Sequence, residues 1–146
     1  MLNKPFEHFQ IGESWISRGR TVTESDIVNF AGVSGDFFPL HTDSEYAKNT
    51  IFKQRIAHGL LVLSIGTGLL EMAPGTVAAF YGIEKLRFIK PVFIGDTIHL
   101  KLTVTDLKDK GNGTGVVTFQ QEIIKQTGEI AVIAEYKFLM NKKERE

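Results

Sequence analysis

The stretch from Gly59 to Leu70 is the feature that most limits how this chain can fold, because it is apolar and carries no charge. Aliphatic side chains point in almost every direction around a helix built on it, and such a helix is normally buried on most sides. The pattern therefore predicts one central helix from about Gly59 to Met72, ended by Pro74 and Gly75. The stretch is far shorter than the ~20 residues that span a bilayer, so no membrane segment is predicted.

Four segments after this helix show the alternation of polar and apolar residues that is typical of β-strands. They cover residues 76–88, 97–107, 114–125 and 129–140, and glycine-containing turns separate the last three. A fifth strand is predicted from Glu13 to Thr21 if it joins the sheet, followed by a helix that starts after Thr23. One buried helix and an antiparallel meander predict an α+β fold in a single domain, residues 1–146.

Charge and composition exclude several classes of function. Seventeen basic and seventeen acidic residues cancel, which gives no signature of a nucleic-acid partner or an anionic membrane. The chain has no cysteine, so thiol nucleophiles and cysteine-ligated metals are excluded, and its four histidines show no metal-ligand spacing. We expect no metal and no cofactor. The N-terminus lacks the apolar run of a signal peptide, so a soluble, cytoplasmic protein is expected, with a solvated tail at residues 141–146.

The segment SGDFFPLHTD, Ser34 to Asp43, places a carboxylate and an imidazole five residues apart. Pro39 keeps Phe38 out of the α region, so we expect Asp36 and His41 on an extended or turning segment and not on a helix face. Two interpretations are open. The segment is either a surface turn in which His41 is incidental, or a loop that brings an acid–base pair into a site.

A stripe of small and polar residues interrupts the apolar surface of the central helix. Its members fall at helical spacing, and they are Leu60, Ser64, Thr67, Gly68 and Glu71. The stripe either lets a neighbouring element approach closely or lines a substrate site. Two interpretations are also open for four basic residues, Lys53, Arg55, Arg87 and Lys90. They are either solvated surface charges or contacts to a phosphate group.

Three ordered stretches resemble the signature stretches of the MaoC-like dehydratases, the family that contains the (R)-specific enoyl-CoA hydratases. They are SGDFFPLHTD, IAHGLLVLSIGTGLL and LRFIKPVFIGDTI, and the resemblance covers roughly Ile27 to Leu100. It implies a hotdog fold, in which a curved antiparallel sheet wraps a long central helix. It also implies a homodimer or a higher even homo-oligomer, and an acyl-CoA or acyl-carrier-protein thioester as the substrate.

The resemblance implies roles for individual residues. Asp36 and His41 match the family's catalytic pair, His58 and Gly59 match the pair at the start of the central helix, and Thr67 takes the place of a serine near the water site. Ser64, which comes from the polar stripe of the central helix, and Phe38 are counted with them as candidate substrate-binding residues. Phe38 stands where the family pattern has asparagine. His58 has a structural alternative, in which its imidazole bonds to backbone near the helix start.

The expected chemistry is the addition of water to a 2-enoyl thioester, or its reverse. A carboxylate and an imidazole that hold one water can exchange its protons, and the free backbone N–H of Gly59 can bind the thioester oxygen. Two alternatives are an acyl-thioester-binding protein without turnover, which Phe38 favours, and a thioesterase. The thioesterase ranks last because Glu71 lies at the far end of the central helix.

Overall fold

The structure is a computed structural model that describes residues 1–143, so the last three residues of the predicted tail lie outside the described residues. Its helices are α1 (Glu24–Ser34), α2 (Pro39–Thr42), α3 (Ser44–Lys48) and α4 (Gly59–Gly68), and a short 3₁₀ turn covers Phe6–His8. Its strands are β1 (Ser14–Ile16), β2 (Arg20–Thr21), β3 (Val77–Phe88), β4 (Thr97–Asp109), β5 (Thr114–Lys125) and β6 (Ile130–Asn141). None of the described helices is long and apolar enough to cross a membrane.

One antiparallel sheet contains all six strands in the order β1–β4–β5–β6–β3, with β2 also paired to β4. The predicted α+β class and the hotdog arrangement are confirmed. The predicted strand over residues 13–21 joins the sheet as two short pieces. They are separated at Ser17, whose side-chain oxygen accepts the backbone N–H of Leu100 at 2.8 Å in place of a ladder carbonyl.

The core lies between α4 and the inward rows of β4, β5 and β6. Fully buried side chains of these rows include Leu100, Phe119, Ile123 and Tyr136, and the helix adds Leu61, Val62 and Ile65. Helix and sheet approach closely at Gly66, where a Cβ atom would lie 2.6 Å from Cδ1 of Ile123. The predicted burial of the central helix is therefore confirmed for its sheet-facing side.

Helix α4 ends at Gly68, earlier than the predicted end at Met72. Leu2 explains the difference, because its backbone N–H donates to the carbonyl of Glu71 at 2.8 Å and its carbonyl accepts from Ala73 at 3.2 Å. Leu2 is fully buried and forms an isolated bridge with Met72. The N-terminus thus takes the backbone groups that a longer helix would use, and Pro74 and Gly75 lie beyond the helix end.

The segment between α1 and α4 corrects one expectation. Helix α1 begins in the predicted way, with a capping box between Thr23 and Asp26. His41, however, lies on the single-turn helix α2, although Pro39 was expected to exclude helix here. Pro39 occupies the first helical position, where its missing N–H is no loss, and Phe38 just before it stays outside the α region, with a φ of -53° and a ψ of 131°. Asp36 lies outside the helix, as expected.

Candidate active site

A cavity of about 340 Å³ opens at the N-terminal end of α4. The segment after α1 and the stretch that follows β3 form its other walls. Its lining is mostly apolar, and the residues are Phe30, Asp36, His41, Phe52, Ile56, Ala57, His58, Gly59, Leu60, Val62, Phe88, Ile89, Lys90, Pro91, Val92 and Val132. The structure therefore brings Asp36, His41, His58 and Gly59 together at one cavity.

His41 is held with one ring nitrogen free. Its Nδ1 lies 2.8 Å from the carbonyl oxygen of Ile56, and because a carbonyl only accepts, Nδ1 carries the hydrogen. The Nε2 atom of the neutral ring is then an unprotonated base. Burial lowers the pKa of His41 below its ordinary value, against the opposing effects of the Ile56 carbonyl and the Asp36 carboxylate. His41 is therefore neutral at pH 7 and able to accept a proton.

Asp36 is positioned by short-range hydrogen bonds. Its Oδ1 accepts the backbone N–H of Phe38 at 3.1 Å, and its own N–H donates to the hydroxyl of Ser34 at 3.1 Å. A carboxylate oxygen of Asp36 and one ring nitrogen each of His41 and His58 lie within 4.8 Å of one another. The carboxylate is on an exposed residue that lines the cavity, so water has access to it.

His58 is buried between two other rings. Its Nε2 donates to the backbone carbonyl of Asp36 at 2.9 Å, which fixes the position of Asp36. Its ring stacks on His41 with 3.9 Å between centroids and lies 4.9 Å from the ring of Phe30. His58 therefore does bond to backbone, but the acceptor lies on the segment after α1 and not on the helix start that the structural alternative named. The Nδ1 atom of His58 has no hydrogen-bond partner among the described residues, and it is buried.

Asp36, His41 and His58 also have the residue types of a metal-ligand set, but the orientation of the two rings does not suit an ion. The lone pair of an imidazole nitrogen lies in its ring plane, and Zn–N bonds are about 2.0–2.1 Å long. The two rings are nearly parallel, at 28°, with centroids 3.9 Å apart. One ion bonded to both nitrogens would lie well out of at least one ring plane, so the stacked geometry disfavours an ion shared by the two rings.

The N-terminal end of α4 presents free backbone donors to the cavity. His58 is the N-cap residue and makes no side-chain capping bond, whereas Thr23 caps α1. The first amides of α4, at Gly59 and Leu60, therefore point from the positive end of the helix without a side-chain acceptor. A Cβ atom on Gly59 would lie 2.7 Å from Cε1 of Phe88. Because Gly59 has no side chain, the ring of Phe88, which lines the cavity, can pack directly against the start of α4.

Three predicted site residues lie outside this cavity. The hydroxyls of Ser64 and Thr67 donate to carbonyls of their own helix, at 2.7 Å to Leu60 and 2.6 Å to Ser64. Ser64 is exposed and Thr67 is half-buried, so the polar stripe faces away from the sheet. Phe38 is half exposed, and its ring meets His41 edge-on with 6.1 Å between centroids.

Two further residues shape the site without having been predicted to do so. Phe88 packs against the start of α4, and the Ile56 carbonyl selects the tautomer of His41. Phe88 lies in the third signature stretch, LRFIKPVFIGDTI, but strand alternation alone does not show that the ring closes a wall of the cavity. A backbone carbonyl has no sequence signal, so the role of Ile56 is visible only in the fold.

Known proteins provide independent findings. A family model described as the MaoC like domain matches residues 8–127. Protein MaoC of Klebsiella aerogenes is 48% identical over 103 residues, which cover 70% of this chain and 31% of that protein, so the chain spans about a third of its length. The (R)-specific enoyl-CoA hydratase of Rhodospirillum rubrum is 42% identical over 102 residues, covering 70% of each. A solved structure from Archaeoglobus fulgidus, described as a monoamine oxidase regulatory protein, is 46% identical, covers 97% of each chain and has a TM-score of 0.92.

Proposed function

This chain belongs to the MaoC-like family of dehydratases, and on that basis we propose that it adds water to a 2-enoyl-CoA to give a 3-hydroxyacyl-CoA, or catalyses the reverse dehydration. The observation that carries the proposal is a neutral His41 whose Nε2 is unprotonated and whose ring has one nitrogen within 4.8 Å of an Asp36 carboxylate oxygen, at an apolar cavity. Relatives named as enoyl-CoA hydratases and 3-hydroxybutyryl-CoA dehydratase support the same class of reaction.

Asp36 and His41 hold the reacting water in this proposal. The oxygen of the water bonds to C3 of the enoyl group while His41 Nε2 takes one of its protons. Asp36 accepts the second hydrogen of the water as a hydrogen bond and stabilises the imidazolium. The imidazolium then returns its proton to C2, so one water is consumed and both side chains regain their starting states. Dehydration follows the same steps in reverse, and no cofactor takes part.

The uncapped start of α4 stabilises the charge that develops during this addition. Negative charge appears on the thioester oxygen as the bond to C3 forms. The free N–H of Gly59 and the positive end of the helix dipole are already oriented toward the cavity, so they act without reorganisation. The apolar walls, among them Val62 and Val132, then surround the acyl chain. In this proposal the Asp36–His41 pair transfers the protons, and the start of α4 stabilises the negative charge on the thioester oxygen.

The test is turnover of crotonyl-CoA, followed by the loss of the enoyl-thioester absorbance. We expect hydration in the wild-type protein, and the reverse reaction with (R)-3-hydroxybutyryl-CoA. Wild-type protein that is folded, binds an acyl-CoA and leaves the enoyl absorbance unchanged would overturn the proposal. The chain length of the best substrate is then read from a series of longer enoyl thioesters.

Phe38 favours a second candidate, an acyl-thioester-binding protein without turnover. Its ring cannot hydrogen-bond to water or to a carboxylate, whereas the asparagine of the family pattern can. If the missing amide limits activity, Phe38→Asn raises hydration of a short enoyl thioester above the wild-type rate. Binding without turnover in the wild type, with turnover gained in Phe38→Asn, supports this candidate over the hydratase.

A thioesterase remains the last-ranked alternative. Residues 59–68 of α4 contain no carboxylate, and Glu71 lies beyond the end of the helix, exposed and 3.9 Å from the N-terminal ammonium. Hydrolysis of crotonyl-CoA, detected as release of the free thiol of coenzyme A, distinguishes this activity from hydration, which keeps the thioester intact.

A further inference from the structure

A second, smaller concavity of about 210 Å³ holds a concentration of positive charge. Its lining residues are Ser44, Lys48, Lys53, Gln54, Arg55 and Ile94, and we call it the cationic pocket. Each polar side chain in this lining carries a hydrogen-bond donor, and none is a carboxylate. A lining of this composition is chemically suited to an anion.

The charges of the cationic pocket are only partly neutralised. Lys48 and Arg55 pair with Glu45 and Glu24, each at 2.6 Å, but both carboxylates lie outside the lining. The Lys53 ammonium has no hydrogen-bond or ion-pair partner within residues 1–143, and Lys53 is exposed. Its backbone is held at a φ of 63°, a conformation that a lysine rarely adopts. Lys53 is therefore the least neutralised cation of the pocket, and an anionic ligand would stabilise it most.

The cationic pocket adjoins the active-site cavity along two segments. Phe52 and Ile56 line the cavity, and the intervening residues 53–55 line the pocket. On the facing segment, Val92 lines the cavity and Ile94 lines the pocket. Ile56 and Phe93 form an antiparallel bridge that ties these segments together. The cationic pocket is therefore next to the cavity along both of these segments.

We propose that the cationic pocket binds the phosphate groups at the nucleotide end of a coenzyme A thioester. This inference rests on the proposed function, which places the thioester and its acyl chain in the cavity. The cavity lining is mostly apolar and contains one cation, Lys90, so it does not solvate the several negative charges of the nucleotide. Lysine and arginine donors form short, charge-assisted hydrogen bonds with phosphate oxygens. The adjoining pocket supplies three such side chains.

The experiment measures binding of coenzyme A, dephospho-coenzyme A and pantetheine to the whole chain by calorimetry. Lys53→Gln removes one charge and keeps a similar side-chain length. Lys110→Gln is the matched control, because Lys110 is an exposed lysine at the turn between β4 and β5 and lines a different concavity. We expect wild-type affinity to fall in the order coenzyme A, dephospho-coenzyme A, pantetheine. Lys53→Gln should weaken coenzyme A binding about fivefold and pantetheine binding less than twofold.

Two results would overturn the inference. One is equal wild-type affinity for coenzyme A and pantetheine, which means that the phosphates contribute nothing. The other is the same coenzyme A affinity in Lys53→Gln and Lys110→Gln, with both variants folded by circular dichroism. A charge reversal, Lys53→Glu, and a rise in salt concentration should each weaken coenzyme A binding further, since both act on the same attraction.

A failure of this inference can be distinguished from a failure of the proposed hydratase function. Binding is measured without turnover, so a protein that fails to hydrate crotonyl-CoA can still show the effect of Lys53→Gln. Conversely, hydration of crotonyl-pantetheine at an unchanged kcat/KM in Lys53→Gln shows that the reacting groups are intact. The last experiment uses a crotonyl thioester carried by an acyl carrier protein. If Lys53→Gln lowers kcat/KM for this substrate while coenzyme A binding does not change, the pocket binds the carrier protein and the inference is wrong.

Discussion

At the scale of single residues, the site depends on which ring nitrogen of each histidine carries a hydrogen. Two backbone carbonyls decide this, that of Ile56 for His41 and that of Asp36 for His58. Each carbonyl requires a hydrogen on the nitrogen that faces it, and in neutral His41 the other nitrogen is therefore unprotonated. For His41 the free nitrogen lies at the cavity, whereas for His58 it is buried and without a partner among the described residues. The proposed reaction therefore uses His41 as the base, with His58 holding the backbone of Asp36.

Substitution of the proposed pair tests this assignment. Asp36→Asn and His41→Gln should each lower kcat for crotonyl-CoA hydration by about a hundredfold or more, the usual contribution of a positioned acid or base. The double variant should lose little beyond the worse single variant, because groups that act on one water fail as a unit. Stopped-flow or steady-state rates check this, with circular dichroism as the control for folding. Unchanged turnover in both single variants would show that the pair is only part of a surface turn.

The pH dependence of kcat/KM gives a second test at this scale. Burial lowers the pKa of His41 below its ordinary value of 6.5, so the neutral base persists to lower pH than a free histidine would. As pH falls through the lowered pKa, His41 takes up a proton and cannot accept one from water. We therefore expect an acid limb in kcat/KM with its midpoint below 6.5 and a plateau near pH 7. A midpoint at or above 6.5 contradicts the assignment of His41 as the buried base.

At the scale of elements, features set by local sequence were predicted and features set by distant contacts were not. The capping box of Thr23 and Asp26 and the glycine turns before β5 and β6 depend on neighbouring residues, and the structure has them. The end of α4 depends on Leu2, which is distant in sequence and pairs with Met72. The stacking of His41 on His58 also needs the whole segment between α1 and α4 to fold back. Motif resemblance predicted their proximity but not this geometry.

The two glycines at the ends of α4 give a matched pair of substitutions. In Gly59→Ala, the new Cβ would lie 2.7 Å from the Phe88 ring, so the ring must move within the cavity wall. In Gly68→Ala, no atom lies within 4 Å, and the added methyl group favours helix by up to about 1 kcal/mol. We expect Gly59→Ala to raise KM for crotonyl-CoA about tenfold and Gly68→Ala to leave it unchanged. Equal KM values for both variants would show that Phe88 does not shape the substrate site.

At the scale of the whole molecule, one edge of the sheet and one side of α4 are uncovered. Strand β3 pairs only with β6 among the described strands, so its outer edge is free along 12 residues. Large apolar side chains on and after this strand are about half exposed, and they are Phe80, Tyr81, Ile83, Phe88 and Ile89. Long bare edges with apolar side chains are rare in stable monomers. Because Phe88 and Ile89 also line the cavity, a subunit paired at this edge would enclose the site.

A homodimer, or a higher even oligomer, is therefore expected in solution. Sedimentation at micromolar concentration should give at least twice the chain mass of 16.3 kDa. Ile83→Lys places a charge on the free edge strand, at a side chain that is 40% exposed, and should raise the dimer dissociation constant by about tenfold or more. Ile11→Lys is the control, since Ile11 is 65% exposed in the segment before β1, at the other end of the strand order. A wild-type monomer, or equal dissociation in the two variants, would show that this edge is not where subunits pair.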